Sequence, residues 1–157
     1  MSTCYYITNV GYEKLNQEIE DIEFKQLPIV INEVSTARGN GDLSENAEYH
    51  AAKAKQRELM RKLGTLKDFK INAKIVNIEN IATDAVRFGV YVEVLNLDND
   101  KTKTIKLVGD YESDADNNII SISSKLGEEL IGKNVGDLVE FEINGKIFSY
   151  EILSIHK

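Results

Sequence analysis

Asp42 and Glu45 stand three residues apart in the polar segment Asp42-Leu43-Ser44-Glu45, and that spacing suits two different tasks. At a helix start, an acid followed three residues later by Glu resembles a capping box, in which the first side chain accepts from a first-turn N–H and the second reaches back. At the end of a long arm, the same pair is presented to something distant and can lend oxygens to a hard cation. Magnesium takes about six oxygens in near-octahedral geometry and keeps several waters, so two carboxylates hold it weakly and the remaining ligands have to come from elsewhere. Two-metal phosphodiester cleavage needs one ion to activate water and another to stabilise the leaving oxygen. An arm that completes a second metal site in a partner enzyme would meet that need. His50 lies near in sequence, but helical geometry turns Asp42, Glu45 and His50 to different sides, which makes His50 a structural residue.

Two helical stretches flank the acids. Over residues 8–37, Leu15, Ile19 and Ile22 follow 4,3 spacing, and Leu27, Ile31 and Val34 resume it after a one-residue shift. The shift falls beside Pro28, the only proline, which removes one backbone donor and crowds the carbonyl of Phe24, so a local kink is expected there. Thr8 is a suitable N-cap. Over residues 44–69, Tyr49, Ala52, Gln56, Leu59, Leu63 and Leu66 recur at alternating steps of 3 and 4. Between the stretches, Arg38-Gly39-Asn40-Gly41-Asp42 supplies the residues that accept positive φ in a tight reversal. An antiparallel helical hairpin follows, with arms of about 30 residues reaching roughly 45 Å at about 1.5 Å per residue.

From about residue 73 the period becomes two. Segments 74–79, 90–97, 104–108 and 119–122 read as strands, and Asn144-Gly145 between two further β-rich runs is a hairpin turn. Only residues 124–131 break the pattern, with Leu126, Leu130 and Ile131 as the buried side of a short helix. The fold class is therefore α+β: a helical hairpin over 1–75 and a small, mostly antiparallel sheet domain over 76–157.

Hydrophobic residues make up 42% and charged residues 29% of the 157, and no apolar run approaches the roughly 20 residues needed to cross a bilayer. No membrane association is expected, and the opening residues have neither the basic start nor the apolar core of an export signal. The single cysteine, Cys4, cannot form an internal disulfide, which fits the cytoplasm. The net charge of −7 argues against an independent nucleic-acid binder, because such affinity comes chiefly from neutralising phosphates. The charge is uneven: residues 1–72 hold 11 acids and 10 bases, net −1, and residues 73–157 hold 15 and 9, net −6. Lys53, Lys55, Arg57, Arg61, Lys62, Lys67 and Lys70 cluster on the second helical stretch.

The stretch Ala37-Arg38-Gly39-Asn40-Gly41-Asp42-Leu43-Ser44-Glu45-Asn46-Ala47-Glu48-Tyr49-His50-Ala51-Ala52-Lys53 resembles, nearly residue for residue, the tip signature of the Gre-type bacterial transcript cleavage factors. Thr8, Gly11, Glu13-Lys14-Leu15, Pro28, Val94-Leu95-Asn96-Leu97-Asp98, Val108-Gly109-Asp110 and Leu130-Ile131-Gly132-Lys133 extend the resemblance over most of the chain, nearer to the GreA branch than to GreB. It implies a coiled-coil domain that enters the secondary channel of RNA polymerase, and an FKBP-like domain that docks at the channel rim. It also implies that Asp42 and Glu45 help hold a magnesium ion shared with the polymerase and its attacking water, none being bound tightly by this chain alone. The polymerase then cleaves its own backtracked RNA, so the chain is an accessory factor and not itself an enzyme. Arg38 and Lys53 match basic positions expected to face the nascent RNA 3′ end or the channel wall, with solvated helix charge as the alternative. Asn46 and Tyr49 are expected to shape the tip or to contact the partner, with packing within the hairpin as an equal alternative. Ser124 and Lys125 lie in the loop associated with polymerase docking, where the family usually has Ser-Pro, and Ile29 stands where an acid is common. The chain is expected to act as a monomer.

Three other functions fit parts of the sequence. A channel-blocking paralogue would lack the acids that are intact here. A free-standing peptidyl-prolyl isomerase would need an aromatic-lined apolar pocket, for which Phe88, Tyr91, Tyr111, Phe141, Phe148 and Tyr150 are the candidates. In a structural coiled-coil adaptor, the acids would only cap a helix.

Overall fold

A computed structural model describes residues 4–41 and 46–157. Contacts divide the chain into two units, one of residues 12–72 and one that joins residues 1–11 to 73–157. The division differs from a single cut near residue 75, because the first residues return to the second half of the chain. Strand β1 (Tyr5–Ile7), not expected from the sequence, pairs in parallel with β2 (Ala73–Ile75).

In the helical unit, α1 (Asn9–Asp21) runs into a π-helical turn (Ile22–Gln26), then α2 (Leu27–Arg38), and α3 (Ala47–Ile71) follows. Ahead of Pro28, where a kink is expected, the chain makes a π turn. It adds one residue to a turn, with the Leu27 N–H donating to the Ile22 carbonyl five residues back. That extra residue is the one-residue shift in the apolar seam. Past the turn the seam follows Leu27, Val30, Val34 and Ala37, and Ile31, expected inside, is 50% exposed. On α3 the expected positions hold: Ala52 and Leu66 are buried, and Tyr49, Gln56, Leu59 and Leu63 are half-buried. Lys55–Glu33 (3.4 Å), Lys62–Glu18 (3.2 Å) and Lys67–Glu23 pair the bases of α3 with acids of the first arm. Exposed pairs of this kind contribute about 0.2–1 kcal/mol each, so the seam does most of the holding.

In the sheet unit, β3 (Tyr91–Asn96), β4 (Thr102–Val108), β5 (Ile119–Ser121), β6 (Leu138–Ile143) and β7 (Lys146–His156) form one sheet in the order β5-β4-β3-β7-β6. Among the described residues of this five-stranded sheet, only the β4–β5 pair is parallel. The segment expected as a strand over 74–79 ends at Ile75, with turns and irregular backbone from there to β3. Alternate residues Val92, Val94, Ile105, Leu107, Val139, Tyr150 and Ile152 fill the core, and the short helix α4 (Lys125–Leu130) closes it with Leu126 and Leu130. Asn144 and Gly145 take φ of 51° and 81° at the β6–β7 turn, as the pair of residue types requires. Among the described residues no helix is long and apolar enough to cross a membrane.

The root of α1 is fixed inside the sheet unit. Thr8 is its N-cap, as expected: Gly11 donates its N–H to Thr8 Oγ1 at 3.0 Å. The carboxylate that completes the cap comes from far along the chain, since Glu112 accepts from Thr8 N (2.7 Å) and from Thr8 Oγ1 (2.8 Å). Gly109 lets this happen, because a Cβ there would collide with the carbonyl oxygen of Tyr6.

Candidate functional site

Asp42 and Glu45 lie outside the described residues, so the site is built from the residues on either side of them. The helix that follows begins later than expected, at Ala47, and its N-cap is Asn46. Asn46 Oδ1 accepts from Tyr49 N at 3.1 Å, and its Nδ2 donates to the carbonyl of Ala37 in the last turn of α2. One side chain thus satisfies an orphan donor of α3 and an orphan acceptor of α2.

A second tie crosses beside the first. Arg38, the last residue of α2, places its guanidinium 5.7 Å from the centroid of the Tyr49 ring, and Nη2 donates to the Tyr49 hydroxyl at 3.5 Å. The hydrogen bond from Arg38, joined by the positive fields of Arg38, Lys53 and Arg57, lowers the Tyr49 pKa from its ordinary value against an opposing effect of burial. Lys53, one turn further along α3, donates Nζ to Gln56 Oε1 at 3.4 Å. The structure therefore brings Arg38, Asn46, Tyr49 and the field of Lys53 together at the ends of the segment that carries the two acids. His50 is exposed, edge-on to Tyr49 at 5.5 Å, in keeping with a structural place. Among the described residues no group of three or more His, Cys, Asp or Glu is arranged to hold a metal ion.

The two residues expected to dock have local work in the sheet unit. Ser124 is the N-cap of α4, accepting from Gly127 N at 3.1 Å and donating to the Ser121 carbonyl at 2.6 Å. Lys125 occupies the first helical position, where proline is well accommodated, and its Nζ reaches the carbonyl of Glu142 at 3.1 Å. Both line a groove of about 590 Å³, within the roughly 300–1,000 Å³ of small-ligand sites, whose wall is the stacked trio Phe141, Phe148 and Tyr150. Their alternation along β6 and β7 was a signal for this shared face, although the sequence did not show that the rings would meet beside α4.

Family models match both parts of the chain: "Transcription elongation factor, N-terminal" over residues 5–75 and "Transcription elongation factor, GreA/GreB, C-term" over 81–157. Transcription elongation factor GreA of Helicobacter pylori (strain Shi470) is 39% identical over 146 residues, covering 93% of this chain and 89% of the relative. GreA of Chelativorans sp. (strain BNC1) is 39% identical over 149 residues, 95% of each chain. The crystal structure of GreA factor homolog 1 from Thermus thermophilus aligns with 99% of this chain and 100% of that one at 20% identity and a TM-score of 0.47, too low to bear on function.

Proposed function

The chain belongs to the GreA/GreB family of transcription elongation factors, and from that premise we propose how its residues serve the polymerase. It acts on RNA polymerase as an accessory factor that stimulates transcript cleavage, the catalytic centre being the polymerase's own. The helical hairpin enters the secondary channel and carries Asp42 and Glu45 to the active centre of a backtracked complex. The donor set suits magnesium in kind, being hard carboxylate oxygen, and falls short of it in number. When bound, a magnesium ion shared with the polymerase would supply Lewis acidity at the RNA phosphodiester. Asp42 and Glu45 would lend it carboxylate oxygens and orient the attacking water.

The observation that supports this reading is the Asn46 cap. Asn46 caps α3 and ties it to the last turn of α2, which fixes the two ends between which the acids lie in sequence. Arg38 and Lys53 add positive charge next to the acids, suited to the phosphates of the extruded RNA 3′ segment. In the sheet unit, Ser124 and Lys125 at the rim of the aromatic groove form part of the surface that docks on the polymerase, and the factor works as a monomer in the cytoplasm.

Polymerase halted and backtracked on a template, with RNA labelled at its 5′ end, tests the reading. Adding the factor with magnesium should shorten the transcript from its 3′ end, and the factor alone should leave free RNA intact. Unchanged transcripts across a full titration would contradict it.

A further inference from the structure

We infer that Asp110 is a positioning residue for polymerase docking, holding the turn of residues 121–125 in the form that meets the partner; this rests on the docking role given above to Ser124 and Lys125. Asp110 follows β4, and one of its carboxylate oxygens, Oδ1, accepts from the hydroxyls of both Ser121 and Ser123. Those hydroxyls lie 2.9 Å from each other, and Ser123 N donates to Ser121 Oγ at 3.1 Å. Ser121 is buried, so its hydroxyl needs a partner inside the protein. The turn continues without a break into α4. Ser124 ties back to the Ser121 carbonyl while it caps the helix, and Gly127 packs so tightly on the turn that a Cβ there would collide with the same carbonyl oxygen.

The backbone does not hold this turn unaided. Proline at the first helical position would fix φ, and Lys125 leaves that rotation free. The Lys125 ammonium fastens one end of the turn to Glu142, and Asp110 fastens the other. A carboxylate suits the task better than a neutral acceptor, since hydrogen bonds to an ionised acceptor are roughly twice as strong. Asp110 itself needs no contact with the polymerase. It acts through the serines.

Binding of the factor to immobilised core polymerase, and transcript cleavage as a function of factor concentration, test the inference in Asp110→Ala, Asp110→Asn and Ser123→Ala. Asp110→Ala should raise both the Kd and the half-saturating concentration about tenfold, as expected for two lost charge-assisted bonds, with cleavage at saturation unchanged. Asp110→Asn keeps a neutral acceptor oxygen and should recover about half of the loss, and Ser123→Ala should give a smaller shift than Asp110→Ala in the same direction. Wild-type affinity in Asp110→Ala, or a lower plateau with an unmoved half-saturating concentration, would overturn the inference. If Asp110→Ala does not fold, Ser123→Ala decides by the same criterion. Should the wild-type chain bind polymerase yet stimulate no cleavage, the cleavage function fails, and the binding series still decides the place of Asp110.

Discussion

Arg38 and Tyr49 join the last residue of α2 to the first turn of α3, and their contact leaves a measurable signature. The phenol sits among Arg38, Lys53 and Arg57, with the Arg38 hydrogen bond as the leading cause of its lowered pKa. Arg38→Gln should therefore move the Tyr49 titration upward, toward the ordinary tyrosine value, as read from the ring carbon shifts of ¹³C-labelled tyrosine against pH. Because the folded-state pKa lies below the unfolded one, the pair adds stability at alkaline pH, above the unfolded value. That increment fades as pH falls through the folded value. Asn46 carries more of the structure. Asn46→Ala removes the cap and the tie to Ala37 together and should lower thermal stability of the helical unit by about 1 kcal/mol, measured by circular dichroism. The sequence pointed to Asn46 and Tyr49 only through resemblance, and the reason is physical. Asp42 and Glu45 have the spacing of a capping box, whereas Asn46 followed three residues later by Tyr49 does not, although Asn46 caps α3. Glu112 was equally hidden, since its partner Thr8 lies 104 positions away.

At the scale of elements, the π turn explains how one seam survives an odd number of residues. Leu15, Ile19 and Ile22 before it, and Leu27, Val30, Val34 and Ala37 after it, become an uninterrupted 4,3,4,3,4,3 series once a single residue is set aside. Phe24, 73% exposed within that turn, contributes nothing to the seam. Deleting Phe24 together with Pro28→Ala should leave the helical unit folded with undiminished ellipticity and melting temperature. Deleting Glu58 from α3 should lower both, because every later seam residue would rotate by about 100°. The shift itself was legible in the spacing of apolar residues, but Ile31 was misplaced by it, since periodicity locates a break and does not say which side chains turn inward beyond it. Strands long enough to alternate were legible for the same reason. At three residues, β1 shows no period, and its partner β2 lies across the whole hairpin in sequence. The sheet core behaves as one packed layer, so Leu107→Ala, at a position with no exposure, should cost about 2–5 kcal/mol in chemical denaturation.

Across the whole molecule, charge and chemistry are divided between the two units. The bases that line α3 are partly neutralised by acids of the first arm, while Arg38, Lys53 and Arg57 surround Tyr49. The residues after 72 carry a net charge of −6, which suits docking on a protein better than holding RNA. The change of period near residue 73 made the two-part organisation legible. The return of residues 1–11 to the sheet unit was not, because a pairing between distant segments leaves no local pattern. The central claim concerns two carboxylates that complete a metal site in another protein. Its most direct test compares Asp42→Asn and Glu45→Gln with wild type at saturating factor on backtracked polymerase, measuring the cleavage rate and the Kd on the same complexes. The rate should fall by about 100-fold or more while the Kd stays within about twofold. A variant that binds normally and cleaves at the wild-type rate would contradict the account.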